Sequence, residues 1–278
     1  MRFNLRALLA TTGLAAVILD AAVAAPTTPA SAVTCPAGST TFNTESDANG
    51  NHLAQNADNF GPAAVTCFSD TGSSGQLTVT QADHSSDSVN PTSYPSDDYG
   101  CTFSLCTQGW TTKSWNQATH LKVTASLSNT GVNGNDAYDY LLDQLLTCNT
   151  CTGTNPPTMA EVEIVLNAKP SFPGLGFCRA TACGATQVTV NGVSWWRKKV
   201  TAAVGGWPDY IYCRNTAVSS VTGLDVTNFF KNANAFDGGL AGLFLASTWS
   251  AGTELWPRTA GDGGLGLTVN SASITGEP

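Results

Sequence analysis

Five short runs rich in β-branched and aromatic residues recur along the chain, at 76–80, 120–127, 161–166, 187–191 and 265–274, each bounded by Gly, Asn, Ser or Asp. In an extended run successive side chains point to opposite faces, so alternation lets one face wall a core while the other meets solvent or ligand. Many such runs separated by turn residues predict an all-β sandwich or barrel. One segment departs from this period. Within 223–235, Val226, Phe229, Phe230 and Ala233 recur at helical spacing, and Asp225 falls where a helix N-terminus favours an acid. A single helix is expected there. The polar stretch 83–98 reads as a long surface loop. With no internal repeat and no long Pro- or Ser-rich linker, the economical organisation is one domain over 33–278, preceded by a short segment 26–32.

Residues 1–25 have the form of a signal peptide: Arg2 and Arg6, a mostly apolar run at 7–19, then small residues ending Ala22-Val23-Ala24. Ala30-Ser31-Ala32 offers a second cleavage site, so the mature start is placed between Ala25 and Val33. A secreted, extracellular product is expected. Charged residues make up 12% of the chain and its net charge is −8, a poor match to nucleic acid or an anionic membrane, which call for basic patches. The one basic cluster, Arg197-Lys198-Lys199, reads as a solvated strand end. Neutral partners such as carbohydrate suit this surface.

Nine cysteines fit an oxidising compartment. Cys101 with Cys106, Cys148 with Cys151 and Cys178 with Cys183 are close pairs, while Cys35 and Cys67 flank the N-terminal region. Zinc is the rival for Cys148 and Cys151, but no His lies near them and no second C-x-x-C exists. An odd count leaves one cysteine either unbridged or paired between chains; Cys213 is assigned that place, and a monomer is expected.

The acids of interest are few. Glu161 and Glu163 sit two apart in Ala-Glu-Val-Glu-Ile-Val-Leu, hence on one face of one strand, with Val162, Ile164 and Leu166 on the other. Taken alone, that face is as well explained by solvent as by chemistry. Glu254 lies in Ser250-Ala-Gly-Thr-Glu-Leu-Trp256, among aromatic and apolar residues that would raise its pKa and keep it a proton donor. Paired carboxylates of this kind cleave glycosidic bonds, and a separation of about 5 to 5.5 Å gives retention.

Here the residues resemble glycoside hydrolase family 12. The 250–256 segment is similar to that family's A-G-T-E-P-W motif, the strand from Ala160 to its Y-E-[IL]-M-I-W-L motif, and Asn135-Asp-Ala-Tyr-Asp-Tyr-Leu141 to its A-Y-D-[LI]-[FW] motif. Asp58-Asn-Phe-Gly61, Ser93-Tyr-Pro95, Val188-Thr-Val-Asn-Gly-Val-Ser-Trp195 and Leu224-Asp-Val-Thr-Asn-Phe-Phe230 follow in the family's order. The resemblance implies a two-sheet jelly roll with an open cleft, Glu161 as nucleophile, Glu254 as acid/base and Asp139 as support for the nucleophile. It also implies a Cys35–Cys67 disulfide, a β-glucan substrate cut internally, and no cofactor. Asp58, Phe60, Glu163, Val165 and Trp256 fall on its sugar-contacting positions.

Four of those positions depart from the family. Phe60 and Val165 stand where it has tryptophans, Asp58 where it has asparagine and Glu163 where it has methionine. Lost aromatic faces weaken pyranose stacking, and a carboxylate beside Glu161 implies an altered pH profile. A two-residue shift of register would instead make Glu163 the nucleophile. Two other readings stay open: a glycan-binding or host-interacting protein without catalysis, and a xylanase of a related jelly-roll family. Trp110, Trp115 and Trp207, set among polar residues, Gly or Pro, are candidates for stacking on sugar.

Overall fold

The computed structural model describes residues 43–46, 52–56, 66–70, 77–81, 94–102, 105–106, 113–117, 119–130, 137–148, 151, 157–169, 181, 184–202, 206–245, 247–252, 255–256 and 265–277. In chain order the strands are β1 (Asn43–Ser46), β2 (His52–Asn56), β3 (Thr66–Asp70), β4 (Leu77–Gln81), β5 (Tyr94–Thr102), β6 (Leu105–Cys106), β7 (Lys113–Ser114), β8 (Thr119–Thr130) and β9 (Ala137–Cys148). They continue as β10 (Ala160–Lys169), β11 (Thr186–Val190), β12 (Val193–Thr201), β13 (Pro208–Arg214) and β14 (Ser220–Asp225). Helix α1 (Thr227–Asp237) follows, then β15 (Leu243–Leu245), β16 (Ser247–Gly252), β17 (Leu255–Trp256) and β18 (Leu265–Glu277).

Two sheets result. The larger runs β1-β2-β5-β16-β9-β10-β13-β12-β11, with β6, β7, β15 and β17 paired onto it; the smaller runs β14-β8-β18-β4-β3. Among the described pairs only β10 with β13 is parallel. The alternation read from the sequence does its expected work: Val162, Ile164 and Leu166 of β10 are fully buried beside Leu142 and Leu146 of β9, and Tyr210 and Tyr212 of β13 join them. Leu121, Val123, Ala125 and Leu127 of β8 close this core from the second sheet. Over the described residues the chain is therefore a two-sheet β-sandwich with one short helix, as the strand pattern predicts.

The helix begins later than its apolar spacing suggests. Val221, Leu224 and Asp225 pair with β8, so residues 220–225 extend as strand, and Gly223 takes a left-handed φ of 61° that a helix interior does not accommodate. The helix begins at Thr227, whose amide donates to Asp225 Oδ1 at 3.1 Å. Its end is set by Gly238, left-handed at φ 74°, whose amide donates to the Asn234 carbonyl. The predicted stripe of Val226, Phe229, Phe230 and Ala233 is fully buried. Phe229 meets Trp195 edge-on at 4.9 Å and Tyr212 edge-on at 5.1 Å between centroids.

Other sequence expectations need correction. The 83–98 stretch is not loop to its end: β5 starts at Tyr94, because residues 94–98 lie between β2 and β16 and complete both ladders. Nor is the basic cluster simply solvated. Arg197 donates to Asn232 Oδ1 at 2.9 Å and stacks 4.1 Å from the Phe236 ring centroid, and Lys199 pairs with Asp237, so two of its three cations tie β12 to α1. Cys148 and Cys151 are bridged, and Cys101 and Cys106 are cross-strand backbone partners. Cys213 is a buried thiol beside Leu141, Val165 and Ile211, closed to a thiol of another chain. Cys35, Cys178 and Cys183 lie outside the described residues, as does the 1–25 segment. No described helix is long and apolar enough to cross a membrane.

Phe229 is the keystone of the helix contact, and truncating a buried Phe loses both transfer free energy and packing. Phe229→Ala should cost about 3–5 kcal/mol of unfolding free energy by urea denaturation. A loss below about 1 kcal/mol would mean the Arg197 and Lys199 ties hold the helix without its apolar face.

Candidate active site

Register builds the site. Glu161 of β10 lies opposite Leu145 of β9 and Asp209 of β13; two residues on, Glu163 lies opposite Asp143 and Ile211. Since strand side chains alternate, Asp143, Glu161, Glu163 and Asp209 share the face turned away from the core. One carboxylate oxygen from each of Glu161, Glu163 and Asp209 lies within 4.8 Å of the others. Trp207, two residues before Asp209, donates its indole Nε1–H to Glu161 Oε2 at 2.7 Å. Asp143 makes a second hydrogen bond to the Glu161 carboxylate.

Glu161 is half-buried, and burial raises its pKa above the ordinary carboxylate value; the hydrogen bonds from Trp207 and Asp143 pull the other way without cancelling it. Asp209 is only 5% exposed. Burial first, then the charges of Glu163 and Glu161, push its pKa well above the carboxylate range. The face thus holds two carboxyls, Glu161 and Asp209, that keep their protons to higher pH than ordinary acids, with Glu161 held by Trp207 and Asp143.

The residues singled out from sequence are distributed unevenly. Glu161 and Glu163 share one face, as their spacing requires. Asp139 does not join them: it pairs with Ala168, seven residues along β10 from Glu161, a separation of about 23 Å along the strand. A misjudged register explains this, since β9 carries aspartates four apart and Asp143 is the one beside the glutamates. Val165 shares the glutamate face but is fully buried against Leu141, Ile211 and Cys213. No sugar reaches it, so it is removed from the sugar-contacting set. Glu254, Asp58 and Phe60 lie outside the described residues. The flanks of Glu254 are described: Gly252 pairs with Leu141, and Leu255 and Trp256 pair with Tyr138 and Ala137, all on β9, the neighbour of β10. Trp115 is a core residue donating to the Leu240 carbonyl at 2.6 Å, and Trp110 lies outside the described residues.

The sequence alone marks neither Asp143 nor Asp209 as part of this cluster, and it offers Trp207 only as a sugar-stacking candidate. In Pro-Asp-Tyr-Ile-Tyr-Cys the alternation of Tyr210 and Tyr212 with Asp209, Ile211 and Cys213 was the available sign of a strand carrying one acid outward. Nothing local marks Trp207 as a partner of a residue 46 positions away.

The architecture has close counterparts among solved structures. A metagenome-derived glycoside hydrolase family 12 endoglucanase superposes with a TM-score of 0.72 at 22% identity, covering 90% of this chain and 98% of that one. The fold is that of glycoside hydrolase family 12. Endoglucanase Cel12A from Rhodothermus marinus matches equally, with a TM-score of 0.72, 22% identity and coverage of 89% and 99%. A family 12 xyloglucanase from Bacillus licheniformis follows with a TM-score of 0.70, 16% identity and coverage of 89% and 100%. No protein-family model matches the sequence, and no curated protein does. The two-sheet jelly roll inferred from motif order is thus the fold observed.

Two outcomes follow from the electrostatics. Removing the indole donor withdraws a hydrogen bond that favours the ionised form, so in Trp207→Phe the Glu161 carboxyl should titrate at higher pH than in the parent, read by carboxylate NMR. For Asp209 a folded-state pKa above the unfolded one means the native state holds a proton that the unfolded chain releases, so stability falls as pH rises above the ordinary carboxylate range. Asp209→Asn should therefore flatten the decline of melting temperature between pH 4 and 7 by a few degrees, about 2–4 °C per kcal/mol relieved. An unaltered slope would mean Asp209 ionises freely.

Proposed function

We propose that this chain is a secreted, monomeric, retaining endo-β-1,4-glucanase that hydrolyses internal bonds of a β-glucan of cellulose-like, mixed-linkage or xyloglucan type. The observation that carries the reading is Glu161: a half-buried carboxylate in the middle of the larger sheet, gripped by Trp207 Nε1–H and by Asp143, on a family 12 fold. Those two hydrogen bonds fix the carboxylate in place for attack on a reacting carbon, as a loosely held surface acid is not.

In this mechanism Glu161 attacks the anomeric carbon as Glu254 gives its proton to the departing oxygen, leaving a glycosyl ester on Glu161. Glu254 then takes a proton from water, whose oxygen attacks the same carbon and frees Glu161. Two inversions preserve the anomeric configuration. Asp143 takes the supporting role that motif order had assigned to Asp139, since its register places it beside the glutamates. Trp207 becomes a positioning residue rather than a sugar platform. Phe60, Asp58 and Trp256 remain the proposed contacts to the glucan chain, with Glu163 bordering the reacting carbon.

Reducing-end release from barley glucan, xyloglucan, carboxymethyl cellulose and xylan tests the reading. Hydrolysis of at least one β-glucan in preference to xylan is expected, with β-configured product by NMR. Glu254→Gln should lower kcat by about 10²–10⁴-fold, and Glu161→Gln should abolish turnover while Glu163→Gln retains it. Glycan binding without any turnover would support the non-catalytic alternative instead.

A further inference from the structure

The four carboxyl groups described above exceed what a double displacement uses. Glu163 and Asp209 in particular have no step to perform, yet they lie against the nucleophile. We propose that Glu161, Glu163 and Asp209 form a binding site for a hard divalent cation of the Ca²⁺ class, whose occupancy excludes attack by Glu161.

Geometry comes first. A Ca²⁺ ion holds its oxygen ligands at about 2.3–2.6 Å, so two ligands of one ion stand at most about 5 Å apart. The three oxygens here lie within 4.8 Å of one another, so one ion can touch all three. The donors come from adjacent strands in fixed register, Glu161 directly opposite Asp209, so the cluster is held by the sheet rather than by loops.

Asp209 supplies a second, separate observation. Its side chain is only 5% exposed, and its Oδ1, shut off from solvent, has no hydrogen-bond partner among the described residues. A buried carboxylate oxygen left unmatched in this way is costly to keep, and here an oxygen of the same carboxylate lies within 4.8 Å of one from each glutamate. A cation seated among the three oxygens gives the buried Asp209 side chain a polar partner and relieves the repulsion of like charges on directly opposed strand residues.

Ligand chemistry selects the ion. All three donors are carboxylate oxygens, with neither imidazole nor thiolate in the group, which favours Ca²⁺ over Zn²⁺ or Cu²⁺. Glu161 and Glu163 are half-exposed, leaving an open side from which water completes the six to eight oxygens that Ca²⁺ takes, typically. The exclusion of attack rests on Glu161 being the nucleophile, as proposed above; the cation site does not.

Terbium luminescence on the full mature chain, stripped with EDTA, tests the proposal, with Trp207 as the built-in sensitiser. Saturable emission at one ion per chain is expected, displaced by CaCl₂ with a Kd of about 10⁻⁴–10⁻³ M, and the melting temperature should rise with CaCl₂ but not with NaCl at equal ionic strength. Glu163→Gln and Asp209→Asn should each weaken Ca²⁺ binding by about tenfold or more. Absence of saturable emission overturns the proposal, as do variants that bind like the parent; if Asp209→Asn does not fold, the half-exposed Glu163→Gln decides. Glucan hydrolysis in EDTA separates the two readings: turnover without cation binding defeats this inference alone, and cation binding without turnover defeats the enzymatic reading alone.

Discussion

The parallel pairing of β10 with β13, flanked by the antiparallel pairing of β10 with β9, is the constraint on which the rest depends. It aligns three strands so that Tyr140, Leu142, Val162, Ile164, Tyr210 and Tyr212 fall on the core face, while Asp143, Glu161, Glu163 and Asp209 fall on the other. A slip of one residue in any of the three would exchange these sets, burying carboxylates in an apolar core and exposing its aromatics. The core's demand for apolar residues therefore also specifies where the acids meet. Stability and chemistry share one register.

The surroundings secure that register from two sides. Across the core, β8 and the stripe of α1 fill the space beneath the site, and Phe229 wedges between Trp195 and Tyr212. At the rim, Arg197 and Lys199 tie the neighbouring strand β12 to α1 through Asn232 and Asp237. On the site face itself, the apolar patch of Leu141, Val165, Ile211 and Cys213 continues beside the carboxyls and removes water from one side of them. That partial dryness is why Glu161 holds its proton more strongly than an ordinary acid, and with the charges of Glu163 and Glu161 added it is why Asp209 does too.

Much of the fold was legible in the chain. Strand alternation pointed to a sandwich, the 3.6-residue stripe located the one helix within a turn of its true start, and the order of motifs across the chain identified the family whose fold is observed. The pair Glu161 and Glu163 was legible too, because a two-residue spacing on a strand is a statement about faces. The errors share one cause. Residues 94–98 and 223–225 look like loop or helix locally, yet neighbouring strands claim their backbone hydrogen bonds. Val165 falls on a sugar-contacting position of the resembled family, but lateral packing covers it.

Sequence by itself determined the periodicities, and with them which residues of each strand oppose the core, because the two-residue repeat is a local property of an extended chain. Tertiary structure alone decided which strands lie side by side and in what register. That choice put Asp143 rather than Asp139 beside the nucleophile candidate, brought Asp209 and the Trp207 indole to Glu161 from positions 48 and 46 residues downstream, and left Asp209 buried against two other acids. Such partners are set by long-range pairing and burial, which no local pattern encodes; the carboxyl cluster at the centre of this molecule belongs to its sheet before it belongs to any motif.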